Sequence, residues 1–174
     1  MKNDFFPDAD YKLPITSNYM RLVEGVNKFR VLSSAIVGYE YFGQDNKPVR
    51  SREPFDETPN IKTGGRVNHF WAFVVFNRIA ERIQILEITQ KSIMSQMKSY
   101  IDSPDWGNPK QYDLSIVRKG MTKNDTEYQV IPSPHKELES EIKDKYEAMT
   151  INLDALYSGD DPFAQSEKSE KSEY

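Results

Sequence analysis

The run His69-Phe-Trp-Ala-Phe-Val-Val-Phe-Asn77 decides how this chain folds. It is apolar and aromatic with no charge in its interior, so it reads as a β-strand. Side chains alternate along a strand, placing Phe70, Ala72, Val74 and Phe76 on one face and His69, Trp71, Phe73 and Val75 on the other. The first set is apolar throughout with one small member, which is the pattern of a core face. The second starts polar and is heavy in rings, so it suits a surface that offers π-faces to unstacked bases. The competing reading buries both faces, with a C-terminal helix packed outside, and it weighs more on Phe73 than on Trp71.

Outward from this strand, Ile83-Gln-Ile-Leu-Glu-Ile-Thr-Gln-Lys91 supplies a second strand over 82 to 88. The short gap at 78 to 81 predicts an antiparallel hairpin. Upstream, residues 26 to 43 form a long first strand bent near Gly38, with Val37, Tyr39 and Tyr41 on one face and Ile36, Glu40 and Phe42 on the other. The polar segment 44 to 68 between them reads as a long mobile loop. Downstream, Thr89 is the expected N-cap of a helix whose apolar face carries Ile93, Met94, Met97, Tyr100 and Ile101 and which ends near Pro104. A turn anchored by a buried Trp106 leads to two further strands, at 112 to 118 and 126 to 131.

The order β-β-β-α-β-β is that of an oligonucleotide/oligosaccharide-binding barrel, although a short α+β sheet shares it. The expected class is therefore mainly β: a five-stranded barrel with a helix between strands 3 and 4. Leu138, Ile142, Tyr146 and Met149 then recur at helical spacing. The expected organisation is an arm over 1–18, the barrel over 19–134, an amphipathic helix over 135–150 and an acidic disordered tail over 151–174. The tail includes a Ser-Glu-Lys repeat at 166 to 171.

At 174 residues and 37% hydrophobic content, the chain is long enough for one core. It has no cysteine, and its two histidines, His69 and His135, lie far apart, so no metal site is expected. No signal-peptide pattern or membrane-length apolar run is present, which predicts a soluble protein of a reducing compartment. Residues 1 to 135 hold 18 Lys+Arg against 16 Asp+Glu, whereas residues 136 to 174 hold 5 against 11. A slightly basic body thus carries an acidic end, either a solubilising segment or an interaction tail. Gly64-Gly65 lacks the rest of a phosphate loop, and there is no zinc-protease helix or nucleophile elbow. Glu40, Glu81, Glu87 and Asp113 read as scattered surface acids. No catalytic residue and no cofactor are expected.

Several strings in this order resemble bacteriophage single-stranded DNA-binding proteins: Gly38-Tyr-Glu-Tyr-Phe42, Lys47-Pro-Val-Arg50, His69-Phe-Trp-Ala-Phe73, the 83–91 segment, Asp105-Trp-Gly107, Tyr112-Asp113 and Thr126-Glu-Tyr128. The resemblance covers residues 20 to 134, with a weaker echo in Asp160-Asp-Pro-Phe163. It implies a barrel that coats single strands in phage replication and recombination, in the cytoplasm of an infected bacterium. It also implies an acidic end that contacts replication proteins such as a polymerase, helicase or primase, and no catalytic residues.

Binding without sequence preference needs rings for bases and cations for phosphates. The ring candidates are Tyr39, Tyr41, Trp71 and Phe73, with His69 beside them. Among cations, Arg50 and Arg52 come first, because a guanidinium forks onto phosphate and stacks on bases; Lys47, Lys62 and Arg66 follow, then Lys28 and Arg30 in the first strand. A solvated loop is the alternative, supported by the neighbouring Glu53, Asp56 and Glu57. In the tail, Asp160, Asp161 and Phe163 are the expected partner contacts, with the ring as apolar anchor. A protein-binding adaptor and a strand-annealing recombination protein are the other functions such a chain would serve.

Overall fold

The computed structural model describes residues 17 to 165. The expected arm, apart from Ser17 and Asn18, and the Ser-Glu-Lys repeat lie outside the described residues. Seven strands form one antiparallel sheet: β1 (Gly25–Val31), β2 (Ile36–Phe42), β3 (Pro48–Ser51), β4 (Asn68–Asn77), β5 (Arg82–Ile88), β6 (Asp113–Lys119) and β7 (Glu127–Pro132). Helix α1 (Lys91–Ile101) follows β5, a 3₁₀ turn (Pro109–Gln111) precedes β6, and α2 (Ser140–Ala148) and α3 (Ala155–Ser158) close the described chain. The mainly β class stands, but the expected five-stranded barrel does not, because the sheet is not closed.

The edges that closure would have to join are already occupied. Along β5, Met20 N–H donates to Ile85 O at 2.9 Å, and Ile85 N–H donates to Asn18 O at 2.9 Å. At β7, α1 takes the backbone instead: Gln96 Nε2 donates to Tyr128 O at 2.9 Å, and its Oε1 accepts from Val130 N–H at 2.9 Å. Satisfied strand edges have no remaining need to pair with one another.

The expected first strand is broken at 32 to 35 rather than bent at Gly38. β1 and β2 both run along one edge of β4, with Val31 opposite Val75 and Ile36 opposite Ala72. Four residues therefore oppose two, a bulge in which Ser33 Oγ accepts the Val74 N–H at 2.8 Å. Gly38 serves the next strand instead, since a Cβ there would run into the Ser51 carbonyl of β3. β3 itself lies inside the segment expected to be a mobile loop. That segment is further tied down where Gln44 N–H donates to Asn60 O and Lys62 N–H to Phe42 O. At α1, Gln90 and not Thr89 is the N-cap, and no side chain caps the helix.

Both faces of β4 are buried. Phe73 and Val75 join Phe29, Leu86, Ile88, Leu114 and the α1 residues Ile93, Met94 and Met97 in the main core. On the opposite face, Phe70, Ala72, Val74 and Phe76 form a second core with Ile83 and Ile85. Leu156 and Phe163 complete it, flanked by Ile142, Tyr146 and Tyr157. The expected disorder from residue 151 is thus corrected as far as Gln165: this stretch packs across the sheet, closed by Asn152 N–H donating to Pro162 O at 2.9 Å. Apolar side chains drive the docking despite the acidic composition around them.

Candidate nucleic-acid interface

Strand β4 carries the exposed rings and leads into a basic cleft. Asn68 lines a cavity of about 730 Å³ together with Phe42, Lys62, Arg66 and Lys123, and no carboxylate borders it. Phe42 is 43% exposed at its wall, which leaves a π-face open beside three cations. Gly64 shapes the floor with φ +75°, a left-handed backbone that disfavours a side chain. The next residue, His69, pairs with Tyr39 across the β2–β4 register, their rings 5.1 Å apart and tilted by 51°. Trp71 follows on the same face, half-buried at the rim of the main core.

The structure does not bring every expected contact to this surface. Phe73 is 2% exposed, packed 6.3 Å from Phe29 under α1. Tyr41 is also 2% exposed: its hydroxyl donates to Pro59 O at 3.1 Å, and its ring meets the edge of Phe55 at 4.9 Å. Arg30 is 1% exposed, with Nε donating to Asp113 Oδ1 at 2.7 Å. These three are interior residues, so none presents a ring or charge to a strand lying on the surface. Arg50 is held inside a carboxylate pair, donating to Glu40 at 3.1 Å and to Glu87 at 2.8 Å.

Arg52 is exposed, but the C-terminal segment engages it. Asp154 pairs with it at 3.0 Å, and its guanidinium lies 4.5 Å from the Tyr157 ring centre. Lys47 is exposed and Lys28 half-buried, both away from the cleft lining, whereas Lys62 and Arg66 are in it. Phe42 and Lys123 belong to the cleft without having been expected there. Phe42 carries one signal, a large ring at a strand end before Gly43, where burial usually stops. Lys123 carries none, because only folding of the β6–β7 turn brings it near Phe42.

Two acids read as surface groups are structural. Glu40 and Asp113 are buried and Glu87 is half-buried, while Glu81 is exposed as expected. Burial, together with a hydrogen bond to Glu87 and the charge of Glu87, pushes the Glu40 carboxyl up to about 8, against the opposing pull of Arg50. Burial beside Glu87 thus biases Glu40 toward its protonated form, even with Arg50 in contact. Because its folded-state pKa lies above the unfolded one, the stability that Glu40 contributes is fully present below the ordinary carboxylate range and is lost as pH rises through about 8. Glu40→Gln mimics the protonated form and flattens this decline, raising stability at alkaline pH by about 1–3 kcal/mol. Urea unfolding of both proteins across that range checks it; parallel pH profiles would refute it.

In the tail, Asp160 and Asp161 are exposed as a partner contact requires, but Phe163 is 2% exposed within the second core. Its expected role as a free anchor is corrected, since the ring is already spent on the chain's own sheet. Among the described residues no group of three His, Cys, Asp or Glu is placed to hold a metal, and no helix is long and apolar enough to cross a membrane. Comparison with known proteins yields no match: no family model, no curated protein and no solved structure matches the chain.

Proposed function

We propose that this protein binds single-stranded DNA without strong sequence preference, coating it during replication or recombination. The observation that carries the reading is the cleft at the start of β4, where Lys62, Arg66 and Lys123 surround an exposed Phe42 with no acid between them. Cations along a track and rings for successive bases are the two requirements of sequence-tolerant single-strand binding. The Tyr39–His69 pair and Trp71 supply further rings on the neighbouring stretch of β2 and β4, on the sheet face opposite Phe42 and Asn68. Support also comes from the strings of sequence that resemble phage single-stranded DNA-binding proteins. The exposed Asp160 and Asp161 are the groups through which replication proteins would be recruited.

Titration with oligo-dT and with duplex DNA at two salt concentrations tests this. Oligo-dT quenches Trp71 emission and binds more tightly than duplex. Changing Lys62, Arg66 and Lys123 to Gln flattens the logarithmic salt dependence by about 2, at roughly 0.7 for each phosphate contact on a single strand. Duplex binding equal to or tighter than oligo-dT, or an unaltered salt slope in the triple variant, overturns the proposal.

A further inference from the structure

Beyond the rings, a second cleft of about 380 Å³ opens where Trp71 and Phe73 face Met97 and Ile101 of α1. The β1–β2 bulge forms its other wall through Ser34 and Ala35, and Lys110 stands at the mouth with Nζ donating to Ser34 Oγ at 3.3 Å. Lys110 is the sole charged side chain in the lining. Most polar atoms here are already engaged: Ser33 Oγ holds the Val74 N–H and donates to Ser34 O, and Asn108 Oδ1 accepts the Lys110 N–H. What the cleft offers a ligand is therefore flat and aliphatic surface, plus one cation on a flexible stem.

We propose that this cleft takes a single nucleobase from the bound strand, with Lys110 on an adjoining phosphate. The inference rests on the single-strand reading and adds to it a defined base subsite. Three observations favour a base over an apolar side chain of a partner protein. The cleft continues the β4 face that already carries His69 and Trp71. Its volume is at the small end of ligand pockets, enough for one planar ring. Its lone charge is positive and placed at the rim, where a phosphate would lie. Because most of the polar atoms are occupied, the subsite grips by stacking and shape, and it does not discriminate among bases.

Ala35→Leu and Ile101→Phe fill the cleft from opposite walls at positions that are exposed, so the core is left intact. Each is expected to weaken oligo-dT binding about five- to 150-fold, the loss of one stacked base. Lys110→Gln lowers the logarithmic salt slope by about 0.7. Independently, an oligonucleotide carrying 5-iodouracil cross-links on irradiation to Trp71 of the wild-type protein, the half-buried ring of the cleft. Wild-type affinity in both filled variants, with cross-links confined to the Phe42 cleft, overturns the subsite and leaves the single-strand reading standing. Failure of the wild-type protein to bind oligo-dT at all defeats both.

Discussion

Truncation after Ile151 is expected to lower the unfolding midpoint by about 10–20 °C, the equivalent of about 5 kcal/mol in a domain of this size. The removed segment is short, but two of its side chains, Leu156 and Phe163, are almost wholly buried. They cover the face of β4 and β5 formed by Phe70, Ala72, Val74 and Ile85, which would otherwise meet water. Removing one such leucine or phenylalanine side chain from a core costs about 2–5 kcal/mol, so Phe163→Ala alone accounts for much of the effect. Also lost are the Tyr157 hydroxyl's bond to Val37 O at 2.5 Å and the Asp154–Arg52 pair. The pair is mostly exposed and adds little to stability, but its loss matters for binding. Arg52 becomes free, and oligo-dT affinity measured well below the midpoint rises at low salt. Thermal unfolding of the full and shortened chains decides the first point, and a shift of less than a few degrees would show that the C-terminal segment is not part of the core.

The aromatic run is only half legible in the sequence because a layer packs on each side of it. Alternation assigns the two faces of β4 correctly, and Phe70, Ala72, Val74 and Phe76 are a core face as read. What alternation cannot supply is the number of layers. Phe73 and Tyr41 look like surface rings until α1 covers one and the Phe55–Pro59 stretch covers the other. The uninterrupted apolar run from Phe70 to Phe76 was the available clue, because strands covered on both sides lose the polar half of their pattern. The cations divide for a different reason. Arg30 and Arg50 find carboxylates brought from β6, β2 and β5, pairings set by register and invisible in local spacing. Lys62 and Arg66 return beside Gly64-Gly65 and meet no acid in the cleft lining, so they keep the exposure that a polar loop predicts. The acids of the C-terminal segment predict disorder, yet Leu156 and Phe163 spaced among them are enough to dock it.

Asp113→Ala is expected to destabilise the protein by about 3–5 kcal/mol, because it strips the counter-charge from a buried arginine. One oxygen of Asp113 accepts from Arg30 Nε at 2.7 Å and from Arg78 Nη2 at 3.1 Å. Arg78 in turn donates to Glu139 at 2.5 Å, just before α2, and its guanidinium lies 5.3 Å from the Phe76 ring centre. The carboxylate thus joins β1, β6, the β4–β5 turn and the entry to α2 through one chain of charges. Without it Arg30 is left with a single longer bond to Lys110 O at 3.3 Å, and its Nη2 is already buried without a partner. A buried charge without compensation is far more costly than none at all. The double variant Arg30→Met, Asp113→Leu therefore recovers most of the stability lost in Asp113→Ala, since apolar groups of similar size replace the whole pair. Urea midpoints of the wild-type, single and double variants measure this, and a double variant no more stable than the single one would show that the pair contributes net stability. The same double variant bears on binding. Its oligo-dT affinity and salt slope should match those of the wild-type protein, because Arg30 sits in the interior and spends its charge on Asp113 rather than on phosphate.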